Sequence, residues 1–249
     1  AIQLNHIAIE FNIAAFGWGR AYAVNPALLD IKNDKSQDAD TAEDIIKDRA
    51  SRLISYQNKA YAKDYEEFMR LVRVADIDFL KPLTKAVARQ LYKLMAVKDE
   101  YEVARLLSSS DFMQSVSDQF EGEYRVVHHL APPFLSRVDA GTGRPRKRRF
   151  GGWIRPVLKL LANGKHLRGS WADVFGYTAE RRMEHALMTE YQAMIGAVMA
   201  RLNEANYSIA IDLAELPDQI RGFGPVKEDA VKSAKIKEAS LLEEFNKSV

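Results

Sequence analysis

Apolar residues recur every three or four positions along most of this chain, whereas alternating Val/Ile/Thr runs are scarce. The pattern predicts a mainly α fold: a helical domain of long amphipathic helices with one small β-hairpin insertion. Asp40 and Thr41 offer caps for a helix whose apolar stripe comprises Ile46, Ala50, Leu53, Gln57, Tyr61, Tyr65, Phe68 and Val72. Read as one element, it spans roughly 30 residues, about 45 Å at the α-helical rise. Pro82 suits the first turn of a second helix, with Leu83, Val87, Leu91, Leu94 and Met95 as its buried stripe. Shorter helices are expected over Glu100 to Leu107 and Ile154 to Leu161. A long one follows from Thr178 to Leu202, carrying Met183, Leu187, Tyr191, Met194, Val198 and Leu202 on one face. Pro225 opens a final helix, in which Val226, Ala230, Ala234, Leu241 and Phe245 are expected to pack inward.

The two ends and the middle break this rhythm. Ile2 to Trp18 is apolar on most faces and meets Gly17 and Gly19, which predicts a buried helix that stops at glycine and occupies residues 1–20. Residues 21–40 turn polar, with Asn25-Pro26 and the run Lys32 to Asp38, and are read as a connector to a domain over 41–249. Between Glu121 and Trp153 the period shortens. Tyr124 to Val127 and Pro133 to Val138 look extended, and Ala140-Gly141-Thr142-Gly143 supplies a turn before Arg144 to Phe150, so a β-hairpin is expected near 124–150.

Composition adds exclusions. The 249 residues are 47% hydrophobic and 28% charged, ordinary for a globular protein, and none is cysteine. Disulfides, zinc-thiolate sites and thiolate-held iron-sulfur clusters are therefore excluded within this chain. No apolar run approaches the ~20 residues of a membrane span, so no membrane partner is expected. The opening Ala1-Ile2-Gln3-Leu4 has neither an initiator Met nor signal-peptide features, and the chain is expected to be a piece of a longer, cytoplasmic polypeptide.

Charge is segregated. The window from Arg137 to Arg168 holds ten basic residues against one acid, Asp139, although the whole chain carries only +2. Its centre, Arg144, Arg146, Lys147, Arg148 and Arg149, is the candidate anion or partner site, fitted to coenzyme phosphates, nucleic acid or an acidic protein. A solvated hairpin is the plain alternative. Nucleic acid ranks low, because Phe150 and Trp153 suit packing as well as base stacking. Adjacent His128 and His129 point to opposite faces of a strand, so core or hydrogen-bonding roles are expected and no metal site is assigned. Glu180, Arg181, Glu184 and His185 form the second candidate group, an acid-base cluster or, in the preferred reading, an ion-pair network fixing helix packing. No Ser lies in a G-x-S-x-G elbow, Gly141-Thr142-Gly143 lacks the dinucleotide-binding spacing, and Gly222-Phe223-Gly224 before Pro225 is read as a plain helix entry.

Several strings are recognisable together: YKLMAVKDEYEVARL at 92–106, FEGEYRVVHHLAPPFL at 120–135, GRPRKRRFG at 143–151, FGYTAERRMEHAL at 175–187 and LPDQIRGFGPVKE at 216–228. They resemble the C-terminal domain of the bacterial fused indolepyruvate ferredoxin oxidoreductases. The opening AIQLNHIAIEFNIAAFGWGR is similar to the last helix of the gamma-type domain that precedes it. The resemblance implies a parent that oxidatively decarboxylates an aryl or branched 2-oxoacid to its acyl-coenzyme A, using thiamine diphosphate, Mg and 4Fe-4S clusters, with ferredoxin as electron acceptor. It places those cofactors in upstream catalytic domains, carries no catalytic residue onto this chain, and implies that this segment itself binds no cofactor. A homo-oligomer is expected.

Three readings follow. An assembly domain packed on the upstream catalytic domains of the same polypeptide would leave an apolar patch exposed where Ile2 to Trp18 lost its neighbours. A docking module would hold coenzyme A phosphates or ferredoxin on the basic hairpin; its stand-alone variant is an anion- or nucleic-acid-binding helical module. An autonomous enzyme built on His185 and Glu184 ranks last.

Overall fold

The computed structural model describes residues 9–25, 41–76, 81–120, 122–132 and 146–248. The chain divides into two compact units, residues 1–40 and 41–249. In the first, α1 (Ile9–Val24) runs through Gly17 and Gly19 instead of stopping at them. Neither glycine takes the positive φ of a helix stop. An interior glycine costs only about 1 kcal/mol relative to alanine, so the helix continues past residue 20. The expected burial is also corrected: none of its described residues is buried, and Phe11, Phe16 and Trp18 stand exposed.

The second unit is all helix apart from one two-stranded ribbon among its described residues. It opens on α2 (Ala42–Tyr56), started by a reciprocal cap in which Thr41 Oγ1 accepts from the Asp44 amide and Asp44 accepts from the Thr41 amide. The single long helix expected here is two. The backbone breaks at Gln57 and Asn58, the Asn58 Oδ1 accepts from the Tyr61 amide at 2.9 Å, and α3 (Lys59–Ala75) begins. The apolar stripe survives because both helices face one core, through Leu53 and Tyr56 on α2 and Tyr65, Met69 and Val72 on α3. Both pack against α4 (Pro82–Met95), the centre of that core, whose Leu83, Val87 and Leu91 are fully buried. Leu94, assigned to the same stripe, is only half-buried.

Two short helices follow, α5 (Glu100–Ser108) and α6 (Ser110–Gln119). The ribbon pairs β1 (His128–Leu130) antiparallel with β2 (Arg148–Phe150), His128 opposite Phe150 and His129 opposite Arg149. The expected strand over 124–127 is irregular chain, and the expected turn at 140–143, with Pro133 to Val138 and Arg144, lies outside the described residues. Beyond the ribbon, α7 (Arg155–Asn163) closes a smaller apolar cluster of Ala104, Phe150, Ile154 and Leu158. Here α5 and α7 approach so closely that a Cβ on Gly164 would stand 2.8 Å from the Tyr101 ring.

The long helix α8 (Ala179–Met199), α9 (Tyr207–Glu215) and α10 (Pro225–Lys247) complete the main core. Two buried tyrosines lock it by donating to backbone carbonyls, Tyr65 to Ala88 at 2.9 Å and Tyr191 to Ala214 at 2.8 Å. On α10, Ala234 and Phe245 are buried and Ala230 and Leu241 partly so, whereas Val226, expected inside, is exposed. It lies across Gly222, which leads into the helix with φ +99°.

Candidate functional site

Between the end of α2, the start of α3, the end of α4 with the segment to Asp99, α8 and the turn that follows α7 lies a cleft of about 450 Å³. Its most buried cation is Arg168. The guanidinium forks onto Asp99, with Nη2 to Oδ1 at 2.7 Å and Nε to Oδ2 at 2.5 Å. It also donates to the Tyr56 carbonyl and lies 3.7 Å from the Tyr56 ring centroid. Side-chain exposures of 8% and 5% keep the pair out of water, so its geometry must offset a heavy desolvation cost. Asp99 serves twice, because its Oδ1 also accepts from the Glu102 amide and starts α5.

The turn after Arg168 is wound around Asp173. Its carboxylate accepts from the Gly169 and Phe175 amides at 3.1 and 3.2 Å and from the Tyr101 hydroxyl at 3.3 Å. A Cβ on Gly176 would stand 2.8 Å from that carboxylate, so the turn needs glycine there. Burial, with Asp173 alongside, pushes the Tyr101 hydroxyl up to about 12.

The second sequence candidate lies on the adjoining wall. Glu184, 7% exposed, is gripped by Arg181 one turn earlier and by Lys227 of α10, and Arg181 also donates to the Lys98 carbonyl at 2.9 Å. Glu180 takes no part in that ion pair; burial chiefly, with the charges of Asp99 and Glu180 adding to it, raises the Glu100 carboxyl. His185 is exposed on the cleft rim beside Arg182. The structure thus unites Arg181 and Glu184, adds Lys227, and among the described residues gives His185 no proton-transfer partner. Asp99, Arg168 and Asp173 were not singled out by sequence reasoning. Arg168 was absorbed into the basic window, and its partner is 69 residues away.

The basic candidates are elsewhere. Arg146, Lys147, Arg148 and Arg149 are exposed, the last two on β2, while Phe150 anchors the strand in the smaller core. Arg144 lies outside the described residues. His128 and His129 do face opposite ways, His128 buried and His129 exposed. Among the described residues the His128 Nε2 has no hydrogen-bond partner, and burial, with Arg155 nearby, lowers its pKa from the usual 6.5. The unfolded chain therefore takes up a proton at higher pH than the folded one. Ribbon stability is full above about pH 6.5 and falls as pH drops below it. Amide exchange at Leu130 and Arg148 should accelerate between pH 7 and 5 ahead of the α4 core, and His128→Phe should flatten that dependence. An unchanged pH response in the variant would remove His128 as its source.

Among the described residues no group of His, Asp and Glu could hold a metal ion, and no helix is long and apolar enough to cross a membrane. No curated protein and no solved structure matches the chain. Residues 42–240 match a family of unknown function, DUF6537, and the chain belongs to that family.

Proposed function

We propose that this chain is a non-catalytic accessory domain of a thiamine-diphosphate-dependent 2-oxoacid:ferredoxin oxidoreductase of the indolepyruvate type, serving assembly and the docking of an acidic partner. The observation that carries the docking role is the β2 ribbon. Four cationic side chains, Arg146 to Arg149, are held out in water by one buried anchor, Phe150. Next to it, Trp153, Val157 and Leu160 are exposed at helical spacing, while Ile154 and Leu158 face inward. An apolar stripe flanked by cations fits the core and rim of a protein interface better than a bare phosphate contact. An acidic carrier such as ferredoxin is the favoured partner, and coenzyme A the other candidate. The open apolar faces of α1 support the assembly role, in which upstream domains of the same polypeptide cover Phe11, Phe16 and Trp18.

The test is steady-state ferredoxin reduction by the full-length parent with Arg146, Lys147, Arg148 and Arg149 changed to Ser, titrating ferredoxin and coenzyme A separately across ionic strength. The half-saturating ferredoxin concentration should rise about tenfold at low salt and converge with the wild type at high salt, with the coenzyme A response unchanged. A rise for coenzyme A alone reassigns the patch to that cofactor. Identical kinetics at every salt concentration eliminate docking and leave assembly.

A further inference from the structure

We infer that the cleft between α2, α4 and α8 is a binding site for a small organic anion with an apolar body, a function separate from the basic ribbon. The volume, about 450 Å³, lies within the roughly 300–1,000 Å³ of small-molecule sites. The chemistry of its wall divides in two. Tyr56, Tyr61, Met95 and Met188 form an apolar face, on which the Tyr61 hydroxyl is already spent on the Met95 carbonyl at 3.0 Å. A ring or short chain laid there would replace water with aromatic and thioether contacts.

The polar side of the wall carries three arginines and three carboxylates, and what differs between them is how far each is already engaged. All three acids in it are satisfied: Asp99 by Arg168 and the Glu102 amide, Asp173 by two backbone amides and Tyr101, and Glu184 by Arg181 and Lys227. None has a reason to attract a cation. The bases keep donors to spare. Among the described residues Arg182 commits only Nη1, to the Tyr177 carbonyl at 3.0 Å, and the rim imidazole of His185 makes no side-chain hydrogen bond. Glu184 is shared by Arg181 and Lys227, so the wall's carboxylates are engaged while Arg182 keeps donors for a ligand. Unused donors over an apolar face select a ligand with an anionic head and an apolar body.

The measurement is saturation binding to the full chain, followed by tyrosine fluorescence and by amide shifts, with benzoate, phenyl phosphate, benzyl alcohol and inorganic phosphate as probes. Benzoate or phenyl phosphate should bind at least tenfold tighter than benzyl alcohol and than inorganic phosphate, and the tighter of the two identifies the head group. The double variant Arg182→Gln/His185→Gln, altering rim residues outside the core, should weaken that probe about tenfold with its thermal midpoint unchanged. Arg148→Ser/Arg149→Ser should leave its binding intact, which separates this site from the ribbon. The inference is overturned if no probe saturates, if inorganic phosphate binds as well as its phenyl ester, or if the rim variant binds like the wild type.

Discussion

Replacing Arg168 by Met should lower the thermal unfolding midpoint by about 10 °C, one of the two largest single-residue losses expected in this chain. The methionine fills much of the aliphatic space but removes the fork that neutralises Asp99, leaving a carboxylate 5% exposed beside the Tyr56 and Tyr101 rings. Stranding one partner of a buried pair costs about 3–5 kcal/mol. Each kcal/mol shifts the midpoint of a domain this size by roughly 2–4 °C. Arg168→Lys should lose less, because it keeps the charge, yet still more than a surface change, because an ammonium can neither fork onto Asp99 nor stack flat on Tyr56. Adding Asp99→Asn to Arg168→Met should recover part of the loss, since the stranded charge goes while the oxygen that starts α5 remains. Calorimetry of the four proteins checks the series. A shift below about 2 °C for Arg168→Met would show that water screens Asp99 despite its burial.

That pair also marks where sequence reading runs out. Periodicity reports a face, so α4 and α8, each presenting one stripe to one core, are legible from spacing alone. The break at Gln57 and Asn58 is not, since the stripes before and after it serve the same core. Only the contact between the Asn58 side chain and the Tyr61 amide betrays the stop. The short α9 hides for another reason: Ile209, Ala210, Ile211 and Leu213 touch or enter the core, and its polar face is only Ser208, Asp212 and Glu215, too few positions over nine residues to set a period. In the candidate site, Arg181 and Glu184 are one turn apart and can be paired on paper. Lys227 is 43 residues from Glu184 and becomes visible only when α10 folds back across α8. The basic ribbon is the reverse case. Its charge is plain in the sequence, but which residues display it depends on Phe150 being the one position of β2 that is buried.

Asp76→Ala should destabilise the second unit by about 3–5 kcal/mol, because this residue caps a helix it does not belong to. The first turn of α4 has an unusual entry. Lys81 precedes it in the left-handed conformation, φ 66°, and its side chain gives no cap. Four amides at a helix start lack intrahelical partners. Here Pro82 has no N–H to satisfy, the Leu83 amide donates to the Tyr207 hydroxyl at 3.3 Å, and the Thr84 amide donates to Asp76 Oδ2 at 2.8 Å. The same carboxylate accepts from the Thr84 hydroxyl at 2.6 Å and from Tyr207 at 2.5 Å, so α3, α4 and α9 meet on one fully buried side chain. Its charge also sits at the positive end of the α4 dipole. Alanine would leave the Thr84 amide and the Thr84 hydroxyl without their acceptor, at about 1–3 kcal/mol for each and less than the plain sum, and would also take from Tyr207 its bond to Asp76. Asp76→Asn keeps one oxygen for Thr84 and turns its amide toward a tyrosine oxygen able to accept, so about 1–2 kcal/mol is expected. Tyr207→Phe should cost a similar amount. Urea unfolding followed by helix signal separates the three. If Asp76→Ala proves no worse than Asp76→Asn, the Thr84 donors have found another acceptor, and the start of α4 is held by Pro82 and its apolar stripe instead.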